Sequence, residues 1–160
     1  MTLLQEGNPA PNFQLALDDG SIVSLADLRG TPIVLYFYPA DDTTGCTTEN
    51  KEFSALAPEF AARGVKVIGI SPDSLEKHGK FREKHALTIP LAADPELTVI
   101  QAYDLWQPKK LYGREFMGLI RTSVLIDADG TLVRIIRATR VAGHAQKMLD
   151  AVDAYLAQRN

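Results

Sequence analysis

After an irregular lead-in over residues 1–12, the chain alternates in polarity and then becomes continuously apolar, which predicts a hairpin followed by a buried strand. Apolar and polar residues alternate over 12–17, an Asp-Asp-Gly turn signal occupies 18–20, and alternation resumes over 21–25. A helical turn or loop is expected at 26–30. The nearly all-apolar run at 32–38 is typical of a strand that is covered on both faces.

The next part of the chain, up to residue 86, predicts two helices with a strand between them. Apolar residues three and four positions apart before Gly64 predict a helix that stops there, and Pro58 inside it predicts a kink. Residues 65–71 predict a second buried strand. Residues 74–86 are mostly polar and predict a helix that faces solvent.

The rest of the chain predicts a strand, two more helices and a closing hairpin. Residues 89–95 predict a short edge-like strand and 96–105 a short helix, while 106–120 are typical of a long surface loop. An Ala-Asp-Gly turn signal at 128–130 lies between two strand patterns and predicts a hairpin. Apolar residues at helical spacing over 148–156 predict the final helix.

The order of these elements predicts the fold class. Strand-helix-strand units imply a parallel pair with a right-handed crossover, and the closing hairpin adds antiparallel strands. We therefore expect one α/β domain over residues 1–160 with a thioredoxin-like fold. In it, an N-terminal β-hairpin precedes a mixed central sheet with helices on both faces. A chain of 160 residues is long enough to support such a core without disulfides or metals.

Composition and charge argue against several classes of protein. The net charge of -3, from 17 basic and 20 acidic residues without long runs of either sign, argues against nucleic-acid and membrane binding. The first residues lack the features of a secretory signal, and no apolar stretch approaches the length of a membrane span. The single cysteine excludes an internal disulfide framework and suits a reducing compartment, so a cytoplasmic protein is expected.

The single cysteine, Cys46, has surroundings that are unusual for a free thiol. Free cysteines usually behave as small buried apolar side chains, yet Cys46 lies in a polar segment between Gly45 and Thr47. The predicted strand ends near Pro39 and the next helix begins near Cys46. The thiol is thus expected in a first helical turn, at the carboxyl end of a buried strand. Unpaired N–H groups there stabilise a thiolate, and thiolate is the reactive form of cysteine.

Other candidate metal or catalytic side chains are weaker. His78, His85 and His144 lie far apart without the paired spacing of a zinc site, so they are interpreted as ordinary surface residues. The segment Asp-Ala-Asp-Gly at 127–130 lacks the further carboxylates of a calcium loop and is interpreted as a hairpin turn. We therefore expect neither a metal site nor a cofactor site.

The residues around Cys46 resemble the active-site segment of peroxiredoxins. That motif has proline, three residues, threonine or serine, two residues and cysteine, and Pro39, Thr43 and Cys46 match it position by position. The longer segment is similar to that of the peroxiredoxin Q proteins, also called bacterioferritin comigratory proteins, within the AhpC/TSA superfamily. The similarity runs nearly end to end and places the family's active-site arginine on Arg121. It is carried by FYPADDTTGCTTE, NPAPNFQL, VIGISPDSLEKHGKF and LYGREFMGLIRTSVLIDADG.

The resemblance implies a thiol-dependent peroxidase that reduces hydrogen peroxide and organic hydroperoxides. Cys46 would attack the O–O bond as a thiolate and become a sulfenic acid, while Arg121 would stabilise the thiolate and hold the peroxide. Thr43 would turn its hydroxyl toward sulfur and substrate, and Pro39 would pack over the pocket and limit water. Glu49 would orient the arginine, although the helix dipole alone also favours an acidic residue near a helix start.

Two positions depart from the family pattern and change the expected cycle. Many peroxiredoxin Q proteins carry a second, resolving cysteine, either five residues after the first or in the following helix, where this chain has Lys51 and Arg82. The expected mechanism therefore uses one cysteine and an external thiol reductant, such as thioredoxin, glutaredoxin or a small thiol. A monomer or weak homodimer is expected. Two other functions stay open: a peroxide sensor, and a thioredoxin-fold binding or holdase protein without turnover.

Overall fold

The protein is a layered arrangement of strands and helices, and its computed structural model describes residues 4–138 and 140–159. The strands are β1 (Gln14–Leu17), β2 (Ile22–Ser24), β3 (Ile33–Phe37), β4 (Lys66–Ser71), β5 (Leu91–Ala93), β6 (Trp106–Leu111), β7 (Arg114–Leu119), β8 (Thr122–Ile126) and β9 (Leu132–Arg137). The helices are a short 3-10 turn (Ala26–Leu28), α1 (Thr44–Ala62), α2 (Leu75–His85), α3 (Thr98–Ala102) and α4 (His144–Arg159).

Seven of these strands form one mixed sheet in the order β2-β1-β5-β4-β3-β8-β9. The three central strands β5, β4 and β3 are parallel, whereas β1–β2, β1–β5, β3–β8 and β8–β9 pair antiparallel. The N-terminal hairpin, the mixed sheet and the closing hairpin are therefore confirmed. The parallel pairs bring the carboxyl ends of β3 and β4 to one edge of the sheet, and the Cys46 segment leaves from that edge.

The all-apolar strand β3 separates two parts of the core. Its five residues are buried and alternate between the faces of the sheet. Leu35 packs in a cluster that includes residues of α3, whereas Tyr36 packs in a cluster that includes residues of α1, α2 and α4. Helices thus cover both faces of the sheet, as predicted, which explains why this strand shows no polar alternation.

The strand predicted at 89–95 is not an edge strand. β5 lies between β1 and β4, because the N-terminal hairpin folds back and pairs Ala16 with Ala93 and Leu17 with Ala92. All three residues of β5 are buried. The short length of the segment suggested an edge, but length does not reveal which distant strand will cover it.

The segment predicted as a long surface loop at 106–120 is also different, because it forms the two-stranded antiparallel hairpin β6–β7. Its turn places Tyr112 and Gly113 at φ values of 51 and 75, and two positive φ values match the twist of tight hairpins. The side chains of β7 are exposed from Arg114 to Met117, and the hairpin stays outside the main sheet. A strand that is exposed over most of its length has no apolar alternation from which it could be predicted.

Two helices differ in detail from their predictions. α1 continues through Pro58 and ends just before Gly64, as expected, while the kink at Pro58 stays a prediction. α2 does not face solvent on all sides, since His78 and Phe81 are buried on its inner face. Among the described helices, none combines the length and the apolar character that a membrane crossing requires.

Candidate active site

The sheet brings Cys46 and Arg121 together, although 75 residues separate them in the chain. Cys46 lies in the first turn of α1, which follows the carboxyl end of β3, and Thr43 is the residue that precedes the helix. Arg121 immediately precedes β8, and the antiparallel pairing of β8 with β3 sets Thr122 opposite Phe37. Arg121 therefore emerges at the end of the strand from which the Cys46 segment departs.

The thiol of Cys46 is enclosed and contacts a cation. Cys46 is 0% exposed, and its Sγ accepts a hydrogen bond from Nη2 of Arg121 at 3.3 Å. The same turn is fixed by Asn50, whose amide donates to the Cys46 carbonyl at 2.9 Å and accepts from the Tyr36 hydroxyl at 2.5 Å. The guanidinium thus places a fixed positive charge at hydrogen-bond distance from the sulfur.

Gly45 is needed for this close approach. A Cβ at that position would lie 3.3 Å from Nη2 of Arg121 and 3.5 Å from Cγ2 of Val141. A side chain before Cys46 would therefore press on the guanidinium that binds the sulfur. Glycine leaves that space to Arg121.

Glu49 lies on the other side of the guanidinium. Its Oε1 accepts from Nη1 of Arg121, while its buried Oε2 has no hydrogen-bond partner among the described residues. Burial raises the pKa of Glu49 to about 7, although the positive charge of Arg121 acts in the opposite direction. For Arg121, burial acts to lower the pKa, but Glu49 and Cys46 outweigh it and the pKa is raised. The guanidinium of Arg121 thus donates to two buried side chains, those of Glu49 and Cys46.

His144 lies next to Glu49 and contacts Ser123, and sequence reasoning missed both His144 and Ser123. Nε2 of His144 lies 2.7 Å from the Ser123 hydroxyl and 3.9 Å from Oε2 of Glu49. Burial, with Arg121 and Lys147, lowers the pKa of His144 to about 4, so the ring is neutral at neutral pH. The interpretation of His144 as a surface residue is wrong, since the residue is 1% exposed. Its sequence neighbours gave no signal of this contact.

Lys109 is a further cation that the sequence did not reveal. Its side chain runs along the hairpin, so that a Cβ on Gly118 would lie 2.9 Å from its Cδ. Burial lowers the pKa of Lys109, the charge of Arg121 lowers it further, and Cys46 raises it. No carboxylate among the described residues pairs with its ammonium group. Lys109 was missed because its segment was predicted as a surface loop.

The two other predicted site residues lie in the loop before α1. Thr43 is exposed, and its hydroxyl donates to the carbonyl of Ala40 at 3.1 Å rather than to sulfur. Pro39 is half-buried directly after Tyr38. The structure therefore brings Cys46, Arg121 and Glu49 into one contact chain, and places Thr43 at the helix start with its hydroxyl turned back into the loop.

His78 is the second histidine whose predicted surface position is wrong. It is fully buried, with Nδ1 2.6 Å from the Asp41 carboxylate and Nε2 2.9 Å from the carbonyl of Ala92. Among the described residues, Asp41, Asp73 and His78 are a group whose side chains could surround a metal ion. In this structure the group forms a hydrogen-bond network in which Nδ1 of His78 contacts Asp41 and Nε2 contacts the carbonyl of Ala92.

The two positions at which the resemblance leads us to expect a resolving cysteine have different surroundings. Lys51 is an exposed residue of α1. Arg82, in α2, donates to both carboxylate oxygens of Asp18 and to the carbonyls of Leu87 and Ile89. Arg82 therefore ties the end of α2 to two neighbouring segments.

Comparison with known proteins shows which family has this arrangement. Residues 7–135 match the AhpC/TSA family. The chain is 44% identical to peroxiredoxin Bcp of Bacillus subtilis over 149 residues, which cover 93% of this chain and 95% of that protein. It is 38% identical to peroxiredoxin Bcp of Xanthomonas campestris over 152 residues, which cover 94% and 95%.

Solved structures show the same fold. Peroxiredoxin Q of Xanthomonas campestris superposes with a TM-score of 0.85 at 38% identity, covering 89% of this chain and 90% of that one. A cysteine-to-serine mutant of the Xylella fastidiosa protein gives a TM-score of 0.91 at 31% identity, covering 98% and 99%. The predicted thioredoxin-like fold is therefore confirmed. The chain belongs to the AhpC/TSA family, and it is a peroxiredoxin, a thiol-dependent peroxidase of the peroxiredoxin Q or bacterioferritin comigratory protein type.

Proposed function

We propose that the protein reduces hydrogen peroxide and organic hydroperoxides with Cys46 as its only redox-active residue. The observation that carries this proposal is the 3.3 Å contact between Nη2 of Arg121 and Sγ of Cys46, at the start of α1, in a chain with one cysteine. A guanidinium and a helix N-terminus both favour the thiolate that the reaction needs.

The oxidative step uses groups that already surround the sulfur. The Cys46 thiolate attacks the nearer peroxide oxygen, an S–O bond forms and the O–O bond breaks, so that the sulfur is oxidised to sulfenic acid. The departing hydroxide or alkoxide takes a proton from solvent water and leaves as water or an alcohol. Arg121 stabilises the charge as it moves from sulfur to the leaving oxygen. Glu49 orients Arg121 by accepting from Nη1 while Nη2 remains on the sulfur.

Pro39 and Thr43 complete the proposed pocket. Proline has no N–H and shields the sulfur from water on the loop side. The Thr43 hydroxyl bonds to the carbonyl of Ala40 in the closed site, and we propose that it turns toward the peroxide when substrate enters. Binding of the peroxide oxygens then requires only a change of hydroxyl direction.

The reductive step requires a thiol from another molecule. With no second cysteine in the chain, the sulfenic acid condenses with an external thiol, water leaves, and a mixed disulfide forms. A second thiol then attacks that disulfide and restores the Cys46 thiolate. Thioredoxin, glutaredoxin and small thiols all supply this chemistry, and every group in the proposed site comes from one chain, so a monomer or weak homodimer suffices.

The test is replacement of the sulfur. Cys46→Ser should abolish thiol-dependent removal of peroxide while the circular dichroism spectrum stays unchanged. After one equivalent of peroxide, mass spectrometry of the native protein should show one sulfenic acid that a sulfenate-specific reagent traps at Cys46. Residual activity of a tenth or more in the serine variant would refute the proposal. Trapping without turnover, with every thiol reductant tried, would instead favour a peroxide sensor.

A further inference from the structure

The side chain of Glu49 is fully buried, but the proposed reaction uses only one of its carboxylate oxygens. Oε1 accepts from Nη1 of Arg121, whereas Oε2 is buried and has no hydrogen-bond partner among the described residues. A buried carboxylate oxygen without a partner is costly, and folded proteins rarely keep one. The groups that surround Oε2 therefore decide how firmly the carboxylate is held against Arg121.

His144 is the side chain that α4 brings to Oε2 of Glu49. It is the first residue of α4, it is buried, and its Nε2 lies 3.9 Å from Oε2. That distance is too long for a hydrogen bond, but the dipole of an N–H group still acts on a charge over it in a site of low dielectric. The backbone N–H of Gly143 donates to Glu52 at 3.0 Å. The start of α4 is thus tied to α1, the helix that carries Glu49.

Ser123 holds the same ring from β8. It is fully buried, and its hydroxyl lies 2.7 Å from Nε2 of His144. Ser123 pairs with Tyr36 of β3, and residues directly opposite each other have their side chains on the same face of a sheet. That face is the one covered by α1 and α4. Because Arg121 immediately precedes β8, one strand positions both the guanidinium that binds Oε1 and the hydroxyl that holds the ring beside Oε2.

The ring of His144 is neutral at neutral pH, because burial, Arg121 and Lys147 lower its pKa to about 4. It therefore acts through the position of a single N–H bond. If Nε2 carries the proton, it donates to the Ser123 hydroxyl and presents a positively polarised edge to Oε2 of Glu49. If Nε2 lacks the proton, the hydroxyl donates to it and a lone pair lies near Oε2, where it repels an ionised carboxylate. Ionised Glu49 therefore favours the arrangement in which Nε2 is the donor.

Charged and titratable groups face Glu49 from three elements. Burial raises the pKa of Glu49, Arg121 before β8 lowers it, and the charge of Glu52 on α1 raises it, with a result of about 7. Cys46 of α1 lies on the other side of the same guanidinium, and His144 of α4 is neutral. Near neutral pH the carboxylate is therefore divided between its two forms. A small change in its surroundings then alters the fraction that is ionised.

We propose that His144 and Ser123 are positioning residues of the peroxidase reaction, which hold the ionised carboxylate of Glu49 against Arg121. This inference rests on the proposed reaction of Cys46 with peroxide. An ionised Glu49 binds Nη1 of Arg121 and leaves Nη2 on the sulfur, where charge moves during the reaction. His144 and Ser123 act on the reaction only through Glu49. Their replacement should therefore have no effect once the carboxylate of Glu49 is absent.

The test follows oxidation of Cys46 by hydrogen peroxide in rapid-mixing experiments between about pH 5.5 and pH 8.5. Each rate is divided by the fraction of Cys46 that is thiolate, which the ultraviolet absorbance of the thiolate gives. In the wild type this corrected rate should rise with pH as Glu49 ionises, with a midpoint at about 7. His144→Leu removes both ring nitrogens at similar size, so the midpoint should move to higher pH. Its corrected rate at pH 7 should fall by about fivefold, the size of losing one polar contact.

A double-mutant cycle separates positioning from a merely structural effect. In the Glu49→Gln background, His144→Leu should change the corrected rate by less than about twofold. His144→Gln can place an amide N–H where Nε2 lies, so it should stay within about twofold of the wild type. Ser123→Ala removes only a hydroxyl and carries the test if His144→Leu does not fold. It should slow oxidation by about threefold at pH 7, and this effect should also disappear in the Glu49→Gln background.

Tyr103→Phe is the matched control. It removes the hydrogen bond from the Tyr103 hydroxyl to the carbonyl of Pro11, in the core cluster on the other face of the sheet, and it should leave the corrected rate and its midpoint unchanged. Wild-type behaviour of both His144→Leu and Ser123→Ala, or a slowing that is equally large in the Glu49→Gln background, would refute the positioning role while the peroxidase function stands. If the wild type forms no sulfenic acid at Cys46, the proposed function fails and the positioning role fails with it.

Discussion

Replacement of Glu49 by glutamine should make the protein more stable and less active at the same time. Glu49 is 0% exposed, and one of its oxygens has no hydrogen-bond partner in the described part of the chain. Burial raises its pKa from 4.5 to about 7 despite the neighbouring guanidinium. A difference of that size between the unfolded and folded states corresponds to about 3 kcal/mol of folding free energy.

The direction of the pH effect on stability depends on whether the folded or the unfolded state binds the Glu49 proton more tightly. The folded state does, because its pKa is higher, so between pH 4.5 and about 7 the folded protein binds more protons than the unfolded chain at this site. The contribution of Glu49 to folding stability is therefore most favourable below pH 4.5 and is lost as the pH rises through about 7. Above that pH the ionised carboxylate costs the folded state up to about 3 kcal/mol, which glutamine does not cost.

Urea unfolding of the wild type and Glu49→Gln, measured from pH 4 to pH 8, tests this reasoning. The variant should be more stable at pH 8 by up to about 3 kcal/mol, and the two proteins should converge near pH 4. Glu59→Gln, at an exposed position of the same helix that pairs with Arg63, is the matched control for the loss of a carboxylate. If the free energy of unfolding changes with pH equally in the wild type and Glu49→Gln, or if the variant is less stable at pH 8, the ionised carboxylate does not destabilise the folded state.

The same variant should lose peroxidase activity. Glutamine accepts from Nη1 of Arg121 without a negative charge, so the guanidinium is held less firmly beside the sulfur. We expect oxidation to slow by about tenfold, because a positioned donor acts on developing charge only when its direction is fixed. A higher folding stability together with slower oxidation of Cys46 would show that Glu49 destabilises the folded protein but supports its reaction with peroxide.

Two further variants test the pocket. Arg121→Ala should slow oxidation of Cys46 by about a hundredfold or more in stopped-flow measurements, the size typical of losing one electrostatic contact in a transition state; a rate within tenfold of the wild type would remove Arg121 from the site. Thr43→Val keeps the side-chain shape but has no hydroxyl, and it should slow oxidation by about tenfold or more. If its rate is unchanged, the Thr43 hydroxyl stays with the Ala40 carbonyl throughout the cycle and takes no part in peroxide binding.

The sequence predicts the central strand and the cysteine helix well, and the reason is physical. A strand between two layers of helices must be apolar on both faces, and a helix against a sheet must repeat its apolar residues at helical spacing. Both patterns are local, and they place Cys46 correctly at the start of α1. Arg121 was placed by the resemblance to peroxiredoxins, because no local pattern relates it to Cys46.

The missed features depend on partners that lie far away in the chain. Histidine is polar enough to be expected at the surface, yet His78 and His144 are buried because Asp41, Ala92 and Ser123 supply hydrogen-bond partners. The hairpin β6–β7 is exposed over most of β7 and buried only at the end of that strand, so it leaves no periodic pattern in the sequence. Pairing of β5 with the N-terminal hairpin likewise depends on a contact that no local segment contains.

A thiol would not be tolerated equally at Lys51 and Arg82, the two positions at which the resemblance to peroxiredoxin Q proteins leads us to expect a second cysteine. Lys51 is exposed, so a thiol could be placed there without removing any contact that the structure shows. A cysteine in place of Arg82 would leave the buried carboxylate of Asp18 without its cation and would free the carbonyls of Leu87 and Ile89. A second cysteine is therefore compatible with the surface of α1 at position 51, whereas at position 82 it would remove the hydrogen bonds that anchor α2.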